Sequence, residues 1–119
     1  WVDSVAGVVI GIWILPRTWR LGRRAVRILL QSAPEHIDLD RLAAELSSLE
    51  GVVGVHDLHV WTLTSEMDAA SVHLVTSATA DSHAVLDRAR SCLADGHGIA
   101  HGTFQVEPDD HQGCDEVSW

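Results

Sequence analysis

Eight histidines in 119 residues are the side chains best suited to chemistry here, because imidazole titrates near neutral pH and is a common metal ligand. His56, Asp57, His59, His73, His101 and Glu107 fall in segments that read as strand, and His83 opens a helix. Imidazole nitrogen and carboxylate oxygen are donors that zinc accepts in tetrahedral sets. No spacing is a metal signature by itself: the sequence has no CxxC, no HExxH and no closely spaced histidine pair on a helix. His36, His97 and His111 lie in linker, loop and tail and read as solvated. Cys92 reads as helix core. Cys114, in the tail near His111, reads equally as an inert thiol or a soft ligand. Two cysteines are too few for a disulfide framework.

Strand alternation limits which of these groups can share a face. In the second strand Val72 and Leu74 take the core side, so His73 faces away. In the third, Phe104 and Val106 take the core side, which leaves His101, Thr103, Gln105 and Glu107 on the other. His56 alternates with Leu58 and Val60, which by itself places it on an apolar face. A bulge near the start of that strand would redirect it, and parity alone does not decide.

The elements that must position these groups are legible between residues 38 and 107. Asp38 is a candidate N-cap, with Ile37 and Leu42 placed for a hydrophobic staple. Leu39, Leu42, Ala43, Leu46 and Leu49 recur at helical spacing, and Gly51 is expected as the C-cap. Val52 to Leu63 is rich in β-branched residues and reads as a strand. Thr64 to Asp68 reads as a hairpin loop and Ala69 to Ser77 as the return strand. Asp81 caps a second helix with Val85, Leu86, Ala89, Cys92 and Leu93 on one face. Gly96 and Gly98 bracket its exit, and Ile99 to Glu107 reads as a third strand. The order αββαβ predicts an α+β two-layer sandwich, with helices on one face of a mixed sheet and the other face open to a dimer partner or a ligand.

The sequence carries 17 acidic residues against 8 basic ones, a formal charge of −9. All eight basic residues are arginine, and five of them (Arg17, Arg20, Arg23, Arg24, Arg27) precede residue 28. The remainder holds sixteen acidic residues against three arginines. Such a surface repels phosphate, so no nucleic-acid partner is expected, and it attracts cations. Residues 4–16 carry no charge. Alone they would span roughly 20 Å as helix, short of a hydrocarbon core of about 30 Å. Trp19, Leu21, Val26, Ile28 and Leu29 extend the apolar character between the arginines, whose stems can snorkel. Trp1, Trp13 and Trp19 suit interfacial anchors, and the arginine cluster marks a cytoplasmic end. Gly7 and Gly11 would allow close helix packing. Pro16 is expected at a kink or at the helix exit. The start at Trp1, with Met67 the sole methionine and no signal-peptide pattern, predicts the C-terminal piece of something longer. The expected divisions are 1–30 (membrane helix and its extension), 31–37 (linker), 38–107 (small α+β domain) and 108–119 (acidic, mobile tail).

GVVGVHDLHVWTL (Gly51 to Leu63), SVHLV (Ser71 to Val75) and GIAHGTFQVE (Gly98 to Glu107) together resemble the cytoplasmic domain of cation diffusion facilitator transporters, in the cobalt–zinc–cadmium resistance and zinc transporter branch. The first thirty residues are similar to that family's sixth and last transmembrane helix. The resemblance implies a ferredoxin-like αββαβ cytoplasmic domain in a homodimeric membrane antiporter that exports Zn2+, with Co2+, Cd2+, Ni2+ or Fe2+ as alternatives, in exchange for protons. It implies no enzyme activity. It also implies metal ligands at His56, His73 and His101, an acidic ligand at Glu107 and a second-site ligand at His83, with His59 and Trp61 structural or interfacial.

The sequence departs from the family pattern at Gln31, where many members carry an acidic residue, and at Thr103, where some carry an aspartate ligand. The family's transport ligands belong to helices that these 119 residues do not include. Two readings compete. One is a soluble, metallochaperone-like ferredoxin-fold module. The other is a hydrolytic zinc enzyme using Asp57 or Glu107 as base, which has no nucleophile motif to support it.

Overall fold

A computed structural model describes residues 1–110 apart from Ser65. Of the expected tail at 108–119, residues 111–119, with His111 and Cys114, lie outside the described residues, whereas Pro108 pairs with Thr76 in the sheet and the Asp109 N–H donates to the Thr76 carbonyl. The chain divides into two compact units, 1–32 and 33–119.

The first unit is helix α1, Val2–Leu29. At 1.5 Å per residue its 28 residues reach about 42 Å, more than a hydrocarbon core. The charges among the later residues therefore do not interrupt the helix, which is longer than its charge-free run. None of its residues is buried, and its most apolar 18-residue window has a mean hydropathy of 1.2. Pro16 stands inside the helix rather than at its exit, so one N–H is missing from the ladder there.

The second unit has the order α2 (Leu39–Ser47), β1 (Val52–Thr64), β2 (Met67–Thr76), α3 (Ser82–Ser91), a π-helical turn (Cys92–Gly96) and β3 (His101–Pro108). The α+β, ferredoxin-like αββαβ arrangement is thus present. Asp38 caps α2 by accepting from the Arg41 N–H at 3.1 Å. Asp81 caps α3 by accepting from the His83 N–H at 2.9 Å. Both staple residues, Ile37 and Leu42, are buried. Gly51 is not the helix cap. Helix α2 stops at Ser47 with Ser48 as its C-cap, and Gly51 is the positive-φ residue (91°) of the turn into β1. A Cβ at Gly51 would come within 2.9 Å of the Ala80 Cβ, so the turn needs glycine on two counts.

The sheet order is β1-β2-β3. β1 and β2 run antiparallel, while β2 and β3 run parallel, joined by the α3 crossover. Leu42 and Leu46 of α2, Val85 and Ala89 of α3, and Leu93 of the π turn pack with Val60, Ala70, Val72 and Leu74 of the sheet. Ile99, expected to begin β3, instead enters this core from the loop before it. The hairpin is tighter than expected, since Thr64 already pairs with Met67. The two helices and the apolar cluster occupy one side of the sheet, and His73 belongs to the opposite side.

Candidate metal centre

The site begins with an irregularity in β1. His56 pairs with His73 and His59 pairs with Ser71, so three steps on β1 oppose two on β2. Asp57 lies within this bulge with φ at +50°, a conformation that Asp tolerates better than most residues. The extra residue flips the alternation. Leu58 and Val60 keep the core side, while His56 joins His73 on the open side. The bulge considered from the sequence is therefore what settles the orientation of His56.

The two rings meet edge to face, with centroids 4.9 Å apart and planes at 76°. Glu107 reaches them from β3, where its neighbour Gln105 is the register partner of His73. Its carboxylate is divided among three groups. Oε2 is 3.1 Å from His56 Nε2, Oε1 is 2.9 Å from His73 Nδ1, and the Gln105 amide donates to Oε1 at 2.7 Å. Thr76 fixes the strand beneath by donating its hydroxyl to the Glu107 carbonyl at 3.1 Å. Glu107 is only 5% exposed, so its charge is largely removed from water. Asp57 Oδ2 stands 3.6 Å from His56 Nδ1 and 3.7 Å from His73 Nδ1.

This donor set fits a divalent cation. One ligand atom from each of His56, His73 and Glu107 lies within 4.8 Å of the others. Donors around a tetrahedral zinc stand roughly 3.4 Å apart, so small rotamer changes would suffice. His73 Nδ1 carries the strongest indication. Its approach to Glu107 is off the line that a hydrogen bond requires, and this buried nitrogen has no hydrogen-bond partner among the described residues. An orphaned nitrogen beside a buried carboxylate is costly unless something binds both.

The other expected ligands fall outside this cluster. His101 lies on the same face as His73, but it pairs with Ala69, four residues before the Gln105 position. That is roughly 13 Å along the strand. His83 is on the first turn of α3 and exposed. Asp57 and Gln105 border the cluster, although the sequence argument gave neither a ligand role. The His-Asp pair at a strand irregularity was the available signal for Asp57.

His97 departs most from expectation. It is not solvated: its side chain is 8% exposed and its Nε2 lies 2.8 Å from Glu45 Oε2. Glu45 also accepts from Arg41 Nε at 2.8 Å. These contacts, the Arg41 hydrogen bond first, hold the Glu45 carboxyl below its ordinary range. Cys92, at the junction of α3 and the π turn, is half-buried against the core as expected. Burial, and then the Glu45 charge, push its thiol up.

Comparison with known proteins agrees with this architecture. Residues 34–109 match the family described as cation efflux protein, cytoplasmic domain. The chain is 39% identical over 108 residues to the metal cation efflux system protein CzcD of Cupriavidus metallidurans, covering 90% of this chain and 34% of that protein. It is 30% identical over 114 residues to the cadmium, cobalt and zinc/H(+)-K(+) antiporter of Bacillus subtilis, covering 93% of this chain and 36% of that protein. The chain thus spans about a third of the length of these relatives. Among solved structures, it superposes on the metal-bound C-terminal domain of the same bacterium's CzcD transporter with a TM-score of 0.57 and 35% identity, over 60% of this chain and 99% of that one. These relatives are transporters rather than enzymes. The chain therefore belongs to the cation efflux, or cation diffusion facilitator, family, with residues 34–109 matching that family's cytoplasmic domain.

Proposed function

We propose that the chain is the membrane-anchored C-terminal part of a divalent-cation efflux transporter, with zinc as the principal cargo and protons as the counter-ion. Helix α1 would be the last span of a multi-pass protein of the bacterial inner membrane. Residues 31–119 would lie in the cytoplasm, on the side marked by the arginine cluster. The domain spanning 38–107 would sense metal and dimerise, with 31–37 as linker and 108–119 as tail. The observation that carries this reading is the convergence of His56, His73 and Glu107 on the open side of the sheet. The soluble-module alternative has no use for a 28-residue helix with none of its residues buried.

The physical cycle follows from charge and geometry. Two copies of so acidic a domain repel each other, and a divalent cation near their shared face offsets part of that repulsion. Metal shifts the pair toward a closed arrangement to the extent that it binds that arrangement more tightly. His101 and His83 would act as ligands only to a metal shared between copies or held at a second position. Ligand histidines must be neutral, so protons compete with the metal and binding weakens as pH falls.

Sedimentation of the full chain in detergent, with and without Zn2+, tests this. Zinc should raise the dimer fraction of the wild type and leave that of Glu107→Gln unchanged. An equal zinc response in both proteins, or none in either, contradicts the reading.

A further inference from the structure

We propose that Glu45, Cys92 and His97 form a second, separate site for a thiophilic divalent cation such as Zn2+ or Cd2+, on the helical side of the sheet. One donor atom from each lies within 4.8 Å of the others, giving an oxygen, sulfur and nitrogen set. Thiolate and imidazole select zinc and cadmium over magnesium or calcium, which prefer oxygen.

The π turn builds the arrangement. Residues 92 and 97 are five apart, which in an α-helix would leave them roughly 140° apart around the axis. The wider turn at Cys92–Gly96 ends with the Gly98 N–H donating to the Ala94 carbonyl and the Ile99 N–H to the Leu93 carbonyl. His97 therefore folds back over the helix end, with its ring 8% exposed and Nε2 2.8 Å from Glu45 Oε2. Single π turns recur at functional positions for this kind of reason. Glu45 comes from α2, and a Cβ on Gly96 would stand 3.7 Å from its Oε2, so the carboxylate abuts the turn's backbone.

The division of labour on Glu45 leaves an oxygen for the metal. Arg41 holds Oε1, and Oε2 is hydrogen-bonded to His97 Nε2, a contact that the metal would replace with the imidazole proton held on Nδ1. The carboxylate is already ionised at neutral pH, since its contacts lower its pKa. The Cys92 thiol is neutral there, because burial raises its pKa. A bound cation forms the metal–sulfur bond as the S–H proton leaves for solvent. With neutral His97 donating the lone pair of Nε2, the ion would bridge α2 to the crossover turn and leave a fourth position for water. Without metal, Glu45 and His97 form a hydrogen-bonded clamp, and a clamp alone would bind no cation.

The test is titration of the full chain in detergent with Co2+, read by absorption. A thiolate-to-cobalt charge-transfer band is expected in the wild type, in Cys114→Ser and in the His56→Ala/His73→Ala double variant. Cys92→Ser should lose the band. Its second equivalent should weaken by more than the roughly 10- to 100-fold typical of changes outside the ligand shell. His97→Gln, which leaves the thiol in place, should weaken the same equivalent and shift the band. A wild type without the band, or a Cys92→Ser protein that keeps it, overturns the proposal. Loss at His56 and His73 changes the other equivalent only, so the two sites fail separately.

Discussion

His56 and His73 are direct partners across the β1–β2 ladder, with ring centroids 4.9 Å apart, although simple alternation from Leu58 and Val60 would put His56 on the other face. The bulge containing Asp57 reconciles the two. It lets one strand supply apolar groups to the core and an imidazole to the open side within three residues. Pre-placing the two imidazoles in this way spares a metal much of the ordering they would otherwise cost.

The bulge gives the first prediction. Asp57 holds φ at +50°, where a β-branched side chain costs about 1–2 kcal/mol. Asp57→Val should lower the urea unfolding free energy by about that amount and weaken zinc binding. Asp57→Asn tolerates the backbone, so it should keep the stability and report the loss of charge beside the rings alone.

Gly51 is the second. An Ala there meets both the positive φ and the Ala80 side chain at 2.9 Å. Gly51→Ala should destabilise the protein by about 1–3 kcal/mol, measured by denaturant unfolding. It should leave metal affinity unchanged, because the atoms a Cβ there would meet, on Ala80, Val85 and Arg88, belong to no proposed ligand.

Glu45 gives a pH dependence with a definite sign. Its folded pKa is depressed from an ordinary 4.5, chiefly by Arg41 and then by His97. The stabilisation is therefore present at neutral pH and is lost as pH falls through the folded value. The difference in unfolding midpoint between wild type and Glu45→Gln should be largest near neutrality, fall away in acid as pH drops below 4.5 and through the folded value, and shrink in high salt, since the pair is exposed.

What the sequence disclosed follows the range of each interaction. The caps at Asp38 and Asp81 were readable because a cap is decided within three or four residues. The core periodicity of Leu42, Leu46, Val85 and Ala89 was readable for the same reason. Parity correctly put His73 and Glu107 on one face, since alternation is intrinsic to a strand. Register is not intrinsic. The sequence placed His101 on the right side of the sheet but could not say that it stands opposite Ala69 rather than beside His73. The burial of His97 is not legible locally, because nothing in the sequence announces a π turn, and that turn is what removes its ring from water.

The central claim is that His56, His73 and Glu107 form one metal centre. Calorimetric titration of the full chain in detergent with Zn2+ tests it most directly, comparing wild type with His56→Ala, His73→Ala and, as an exposed histidine on the same strand, His59→Ala. The account predicts that both cluster variants lose affinity by more than about 100-fold, that His59→Ala keeps it, and that wild-type binding weakens as protons compete for the ligands in acid. Wild-type affinity retained in both His56→Ala and His73→Ala would contradict it.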